Sequence, residues 1–205
     1  MTRLRSWIEH VPYEESEGRL RELYDRVRGP SGAIDNIMSV HGLRPHTMEG
    51  HLALYKSVLH HARNALPRWL LETAGVHVSL INGCAYCVLH HTEGLRRLLR
   101  DDARTDAIHD ALGRGAPEEV FDGRELAVLR YAEALTRDPA GLTAASLEPM
   151  RAAGMSDGEI LEVNQVVAYF AYANRTVLGL GVTTEGDTLG LSPSATDRPD
   201  DWSHR

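Results

Sequence analysis

The stretch Leu66–Arg100, LPRWLLETAGVHVSLINGCAYCVLHHTEGLRRLLR, determines the expected fold of this 205-residue chain. Pro67 stands where a first helical residue would, and apolar residues follow at helical spacing as far as the Asn-Gly pair at 82–83. A second helical run begins at Cys84, and its arginine-rich end suits the C-terminus of a helix dipole. The stretch therefore predicts two helices with a bend near Gly83.

A β-hairpin is the alternative for this stretch, because residues 76–80 alternate like a strand and Asn-Gly is a strong hairpin dipeptide. In a strand, residues three apart point to opposite faces, so Cys84 and Cys87 could not act as a pair. In a helix they share a face. Because the flanking segments are helical in pattern, we expect a helical hairpin over 68–99. A β-hairpin there would exclude a paired dithiol.

Helical signals also fill the rest of the chain, which predicts an all-α fold. Asp122 with Glu125 and Ser156 with Glu159 have the form of capping boxes before apolar-periodic runs. Besides the hairpin, the expected helices are about 13–28, 52–65, 101–112, 122–137, 143–154 and 156–178.

The chain has no convincing internal linker, so we expect a single all-helical domain over 1–183 with its core motif at about 66–100. The remaining 184–205 is rich in Gly, Asp, Pro and Ser. This composition predicts a mobile C-terminal tail unless a partner subunit holds it.

Composition and charge exclude several functions. Hydrophobic residues make up 42% of the chain and charged residues 25%, which predicts a folded protein. The formal net charge is −7 and the basic residues are scattered, so nucleic acid is not an expected partner. No apolar run approaches the roughly 20 residues that cross a bilayer, and no secretory signal is recognisable. We therefore expect a cytoplasmic protein without membrane contact.

Two cysteines, Cys84 and Cys87, are the only ones in the sequence. They cannot tie distant parts of the chain together, so in a reducing compartment the pair indicates redox or metal chemistry. With His91 they follow at i, i+3 and i+7, which places all three on one side of a helix. Backbone N–H groups at the helix start favour a thiolate, and the imidazole one turn after Cys87 can exchange its proton.

Glu72 joins this group if the two helices fold back at Gly83. At a rise of about 1.5 Å per residue, Glu72 lies about 16 Å from the bend and His91 about 12 Å, a difference within side-chain reach. The spacing permits a relay in which Glu72 orients or charges His91, and His91 serves Cys87. Such a relay suits peroxide reduction, in which a thiolate becomes a sulfenic acid and the neighbouring thiol condenses with it to a disulfide.

The pattern Glu-x11-Cys-x2-Cys-x3-His resembles the signature of the alkyl hydroperoxidase D-like (AhpD-like) branch of the carboxymuconolactone decarboxylase family. The segment 66–72 resembles the start of the family's core helix. Residues 169–175 and 180–182 resemble the closing helix of its peroxidase-related members. The resemblance covers the chain from about Ile34 to Val182.

The resemblance implies an AhpD-like helical bundle with the CxxC motif at the N-terminus of a core helix, assembled as a homo-oligomer (trimer, dimer or hexamer). It implies an antioxidant peroxidase of peroxiredoxin type that needs no bound metal or organic cofactor. By position, Cys87 resembles the peroxidatic thiol, Cys84 the resolving thiol, and Glu72 with His91 the proton relay. A thiol or a lipoyl-bearing protein is the implied electron donor, although no site for one is recognisable.

One position departs from the family pattern. The best-known members carry a His directly before the second cysteine, where this sequence has Tyr86. Tyr is a poor proton carrier at neutral pH. The efficiency, the substrate and the reductant are therefore left open by the resemblance.

Other interpretations of the dithiol remain. Two buried, inert thiols are the simplest. A zinc site is another, with His77 or His90 as the fourth ligand, although the second ligand pair is missing. We expect His90 to be a surface or interface residue rather than a second base. The enzymatic alternative is a carboxymuconolactone-type decarboxylase, which would not need the cysteines, and the non-enzymatic one is a dithiol redox sensor or interaction module.

Self-association is expected on two grounds. The resemblance implies it, and the large apolar side chains of Trp7, Trp69 and Phe170 exceed what a lone helical hairpin can cover. The partners expected overall are a small hydroperoxide, an electron donor and further copies of this chain.

Overall fold

The computed structural model describes residues 5–198 and 201–202. Its α-helices, in chain order, are α1 (Gly18–Val27), α2 (Asn36–Ser39), α3 (Pro45–Leu59), α4 (Arg68–Ile81), α5 (Ala85–Leu99), α6 (Asp102–Gly113), α7 (Gly123–Arg137), α8 (Glu148–Ala152) and α9 (Asp157–Leu180). Short 3₁₀ turns connect several of them, and no strand occurs among the described residues. The predicted all-α fold is confirmed. No helix in this part of the chain combines the length and apolarity that crossing a membrane requires.

Helices α4 and α5 form the expected hairpin. Asn82 ends α4, Gly83 reverses the chain with a φ of +69°, and Cys84 is the N-cap residue of α5. A positive φ costs glycine little, which explains why the bend falls there. The β-hairpin alternative is wrong, and the two cysteines lie together at the start of one helix.

Helix α4 is the centre of the bundle and is buried from Leu70 to Ser79. It packs against α5, α7 and α9. The 24-residue helix α9 begins with a capping box between Ser156 and Glu159, as predicted, and Gly181 in the left-handed region ends it. Because α4 supplies one wall of the cysteine site and α9 another, this central packing positions the site.

The C-terminal segment, meaning the described residues from Thr184 to Trp202, runs back across the bundle. Lys56 of α3 donates hydrogen bonds from Nζ to the carbonyl oxygens of Ser194 and Asp201. The Trp202 ring stacks on Tyr55, with centroids 5.9 Å apart. The predicted mobility of the tail and the predicted domain boundary stay predictions, and residues 199–200 and 203–205 lie outside the described residues.

Candidate active site

A partly enclosed cavity of about 60 Å³ lies between α4, α5, α9 and the C-terminal segment. This volume holds only a few water-sized groups. Side chains that can carry protons or electrons line it, namely Asp35, Glu72, Tyr86, Cys87, His90 and His91. Apolar side chains, among them Met38, Leu191 and Trp202, form much of the remaining wall.

The two cysteines differ in how they meet this cavity. Their sulfur atoms lie 2.8 Å apart and both thiols are free. Cys87 lines the cavity, whereas Cys84 lies behind it with no exposed surface. Cys84 is covered because Val40, Val177 and Val182 pack over the start of α5.

The ionisation of the pair is unequal. The hydrogen bond that the two sulfur atoms share lowers the pKa of Cys84 and, together with burial, raises the pKa of Cys87. The amide of Asn174 on α9 also lowers the pKa of Cys84. The thiol that faces the cavity is therefore the one that keeps its proton longer, and a base beside it is needed to remove that proton.

Glu72 and His91 lie together as their spacing predicted. Oε2 of Glu72 on α4 and Nδ1 of His91 on α5 are 2.7 Å apart, and the Glu72 side chain is only 2% exposed. The ring of Phe170 packs edge-on against His91, with centroids 4.6 Å apart. Both partners line the cavity with Cys87, so the imidazole is oriented by a buried carboxylate and an aromatic neighbour.

Tyr86 takes part in a second network beside the cysteines. Its hydroxyl donates to Oδ2 of Asp187 over 2.6 Å, and Nε2 of His90 lies 3.2 Å from the same oxygen. The backbone N–H groups of Asn36 and Ile37 donate to Asp187 and to the Tyr86 hydroxyl, respectively. Burial, with the neighbouring Asp187 charge, raises the pKa of Tyr86 well above its usual range. Tyr86 therefore serves as a hydrogen-bond donor that fixes Asp187 and does not carry protons at neutral pH.

His90 does not have the surface position expected from the sequence. It is 8% exposed, lines the cavity and stacks on Tyr86 with ring centroids 4.5 Å apart. The expectation was wrong because the C-terminal segment covers this face of α5 and brings Asp187 to the ring. The two adjacent histidines thus each have a carboxylate partner.

Asp35 is a further acid that sequence reasoning missed. It directly precedes α2 and lines the same cavity. Burial raises its pKa to about 6, while the charge of His90 acts in the opposite direction. Neither Asp35 nor Asp187 has a local sequence signal, because each reaches the site only through long-range packing.

A zinc site is not supported by the geometry. Within residues 5–198 and 201–202, no three His, Cys, Asp or Glu side chains are grouped so that they could hold a metal ion. Both ring nitrogens of His77 are buried without a hydrogen-bond partner, and burial lowers its pKa to about 4. His90, the other candidate ligand, is bonded to Asp187.

The helical architecture matches that of AhpD-like proteins. A crystal structure of an alkylhydroperoxidase AhpD core, an uncharacterized peroxidase-related protein from Ralstonia eutropha JMP134, superposes with a TM-score of 0.79 at 19% identity, over 91% of this chain and 95% of that one. An uncharacterized peroxidase-related protein from Silicibacter sp. TM1040 gives 0.74 at 20% identity, over 90% and 94%. The debrominase Bmp8 gives 0.68 at 18% identity, over 89% and 92%.

The sequence model of the carboxymuconolactone decarboxylase family matches residues 45–134. This part of the chain is similar to that family, and the fold is that of the AhpD-like structures. A search among curated proteins gave no match. The resemblance drawn from the cysteine motif is therefore confirmed at the level of family and fold.

Proposed function

We propose that the protein is a thiol-dependent peroxidase that reduces hydroperoxides through a Cys84/Cys87 dithiol–disulfide cycle, with Glu72 and His91 as proton relay. One observation carries the proposal. The cavity wall holds Cys87, which contacts a second free thiol, together with a histidine paired to a buried carboxylate. These are the groups that a two-step thiol oxidation requires.

In the first step, His91 takes the proton of the Cys87 thiol, and the sulfur attacks the terminal oxygen of the peroxide. A sulfur–oxygen bond forms, the O–O bond breaks, and the leaving oxygen takes up a proton and departs as an alcohol or as water. In the second step, Cys84 displaces hydroxide from the Cys87 sulfenic acid, which releases water and gives the disulfide. A dithiol or lipoyl-type donor then returns two electrons and two protons.

Debromination and lactone decarboxylation are the alternatives to peroxide reduction. A cysteine-to-alanine variant of the debrominase Bmp8 has been crystallised with 2,3,4-tribromopyrrole, so a protein of this fold binds a bromopyrrole. A cavity of about 60 Å³ admits hydrogen peroxide. Lactone decarboxylation would leave the paired thiols without a role.

Substitution of each cysteine tests the proposal. We expect Cys87→Ser to abolish peroxide consumption with a thiol reductant. Cys84→Ser should allow one rapid oxidation and leave a sulfenic acid on Cys87 that a dimedone probe traps. Glu72→Gln and His91→Ala should slow the first step by about 10²-fold without unfolding the protein. The exposed His109→Ala is the matched control for the histidine variant.

Two results would contradict this assignment. If Cys87→Ser keeps normal turnover, or if the probe labels Cys84 in preference, the lowered pKa of Cys84 outweighs the exposure of Cys87 to the cavity. A protein that oxidises once but never turns over with any dithiol would instead be a redox sensor.

We further expect a homo-oligomer in the cytoplasm, where a reducing pool would regenerate the dithiol. The indole of Trp7, 74% exposed, supports self-association. Phe170 and Trp69 do not support it, because Phe170 is fully buried within one chain and Trp69 stacks on Phe121.

A further inference from the structure

Three carboxyl groups lie at or beside the cavity, namely Asp35 and Glu72 in its wall and Asp187 behind Tyr86 and His90, and Asp35 differs from the other two. Glu72 is bonded to His91, and Asp187 is bonded to Tyr86 and His90. The Asp35 side chain makes no hydrogen bond to any described residue, although it lines the same small cavity as Cys87. A half-buried carboxyl group without a hydrogen-bond partner is destabilised as an anion, which shifts its equilibrium toward the protonated acid.

The surroundings of Asp35 keep a fraction of its carboxyl group protonated near neutral pH. Burial raises its pKa to about 6, and the negative charge of Asp187 adds to this effect. The imidazoles of His90 and His91 on α5 act in the opposite direction. Glu72 on α4 is the remaining acidic group that lines the cavity. A carboxyl group with a raised pKa beside a nucleophile is the arrangement that general-acid catalysis uses.

We propose that Asp35 is the general acid that protonates the leaving oxygen of the peroxide. The inference rests on the proposed peroxidase function and adds a catalytic residue to it. As the Cys87 sulfur bonds to the terminal oxygen and the O–O bond breaks, the second oxygen takes the carboxyl proton of Asp35 and leaves as an alcohol or as water. The proton that His91 removed from Cys87 then returns through the cavity to the Asp35 carboxylate.

This step balances without a further reactant. Cys87 thiol and hydroperoxide give Cys87 sulfenic acid and alcohol, with the sulfur oxidised and the peroxide reduced. Asp35 and His91 both end in their starting states. Since a peroxide in so small a cavity shares it with both side chains, one oxygen can contact the sulfur while the other contacts the acid.

Asp35 lies outside residues 45–134, the part of the chain that the family sequence model matches. The residue before the second cysteine is Tyr86, and its raised pKa makes it unsuitable for proton transfer. The site therefore needs a proton donor from elsewhere in the chain. Asp35 fills this gap from a different element, since it stands at the start of α2 next to Asn36 and Ile37, which hold Asp187 and Tyr86.

The proposal predicts a distinctive pH profile. Between about pH 6 and pH 8, the thiolate fraction of Cys87 rises with pH while the protonated fraction of Asp35 falls, so the rate of peroxide oxidation should stay nearly flat. In Asp35→Asn only the thiolate changes, and the rate should rise by roughly tenfold per pH unit. At pH 7 the variant should oxidise about 10²-fold more slowly than wild type.

The experiment measures Cys87 in the intact protein with two reagents, by stopped flow and peptide mass spectrometry. Hydrogen peroxide needs a proton on its leaving oxygen, whereas iodoacetamide releases iodide and needs none. Asp35→Asn should slow only the reaction with hydrogen peroxide. Asp35→Glu, which keeps an acid, should restore part of the lost rate. Asp110→Asn removes an equal charge from the surface of α6 and should change neither reaction.

Equal slowing of both reagents would overturn the inference, because Asp35 would then act on the thiol or on the shape of the cavity. So would an unchanged peroxide rate with a flat pH profile in Asp35→Asn. If Cys87 of the wild-type protein reacts with iodoacetamide but not with hydrogen peroxide, the proposed function itself is contradicted. If Asp35→Asn unfolds, the pH profile of Asp35→Glu decides, since a retained acid must keep the flat region.

Discussion

Gly75 on α4 allows α9 to approach the site. A Cβ atom at this position would lie 2.1 Å from the ring of Phe170, which is fully buried and packs against His91. Gly75→Ala gains up to about 1 kcal/mol of helix propensity. The overpacked ring costs about 1–3 kcal/mol or more, so we expect net destabilisation and slower Cys87 oxidation. Urea unfolding measures the first effect and stopped-flow oxidation the second.

Gly50→Ala is the matched control for this substitution. Gly50 is exposed on α3, and nothing lies within 4 Å of a Cβ atom there. The control should stabilise the protein by about 0.5–1 kcal/mol. If Gly75→Ala instead proves as stable as Gly50→Ala, the contact between Phe170 and α4 is not the constraint that we infer.

Among the site residues, the sequence predicts only those that one helical hairpin brings together. Glu72 and His91 meet because their distances from Gly83 along two antiparallel helices are similar. Asp35 reaches the cavity, and Asp187 reaches Tyr86 and His90 beside it, through packing between segments distant in sequence, which periodicity and spacing do not encode. The burial of Cys84 was missed for the same reason, since residues outside the hairpin cover it.

Among the helices, local chemistry predicts some boundaries and misses others. The capping box at Ser156 places the beginning of α9 correctly. Helix α3 runs from Pro45 to Leu59 instead of over 52–65, because Pro45 initiates it before the apolar pattern begins. The helix expected over 143–154 is divided into a 3₁₀ turn and the short α8.

The C-terminal segment is the element whose role the sequence did not reveal, and Lys56 is its anchor. We expect Lys56→Met to remove the two hydrogen bonds to the carbonyl oxygens of Ser194 and Asp201 and to loosen the wall that Trp202 forms. A charge-assisted hydrogen bond contributes about 1.5–3 kcal/mol, so thermolysin should cleave within 184–202 at least about tenfold faster. The variant should also gain activity toward bulky cumene hydroperoxide relative to hydrogen peroxide.

Arg63→Met, which removes an exposed cation just after α3, should leave both measurements unchanged. Unaltered proteolysis in Lys56→Met would indicate that contacts elsewhere, such as the bond from Arg97 to the Leu189 carbonyl, hold the segment without Lys56. Faster proteolysis without altered substrate preference would separate the anchoring of the segment from the size of the cavity.

For the molecule as a whole, buried histidines link stability to pH. Burial lowers the pKa of His51 to about 3 and that of His77 to about 4. It also lowers the pKa of His41 and, strongly, that of His60. In the unfolded chain these imidazoles titrate near 6.5. Below that pH the unfolded state binds protons that the folded state does not bind, so the free energy of unfolding must decrease as the pH falls.

Asp35 opposes this trend. Its folded pKa of about 6 lies above the unfolded value, so the folded state takes up its proton first and gains stability as the pH falls. Between pH 6 and pH 5, His51 and His77 together lower the free energy of unfolding by about 2 kcal/mol, and Asp35 raises it by about 1 kcal/mol. His41 and His60 act with the other histidines. The free energy of unfolding should therefore decrease by at least about 1 kcal/mol over this interval.

Urea unfolding at pH 7, 6 and 5 tests this balance, and His77→Leu separates one contribution. The substitution removes a titrating ring whose two nitrogens are buried without partners. Between pH 6 and pH 5, the free energy of unfolding should therefore decrease by about 1 kcal/mol less in the variant than in wild type. His46→Gln, at an exposed position on α3, is the control. A wild-type free energy of unfolding that rises between pH 6 and pH 5 would mean that carboxyl groups such as Asp35, and not the buried imidazoles, dominate proton uptake.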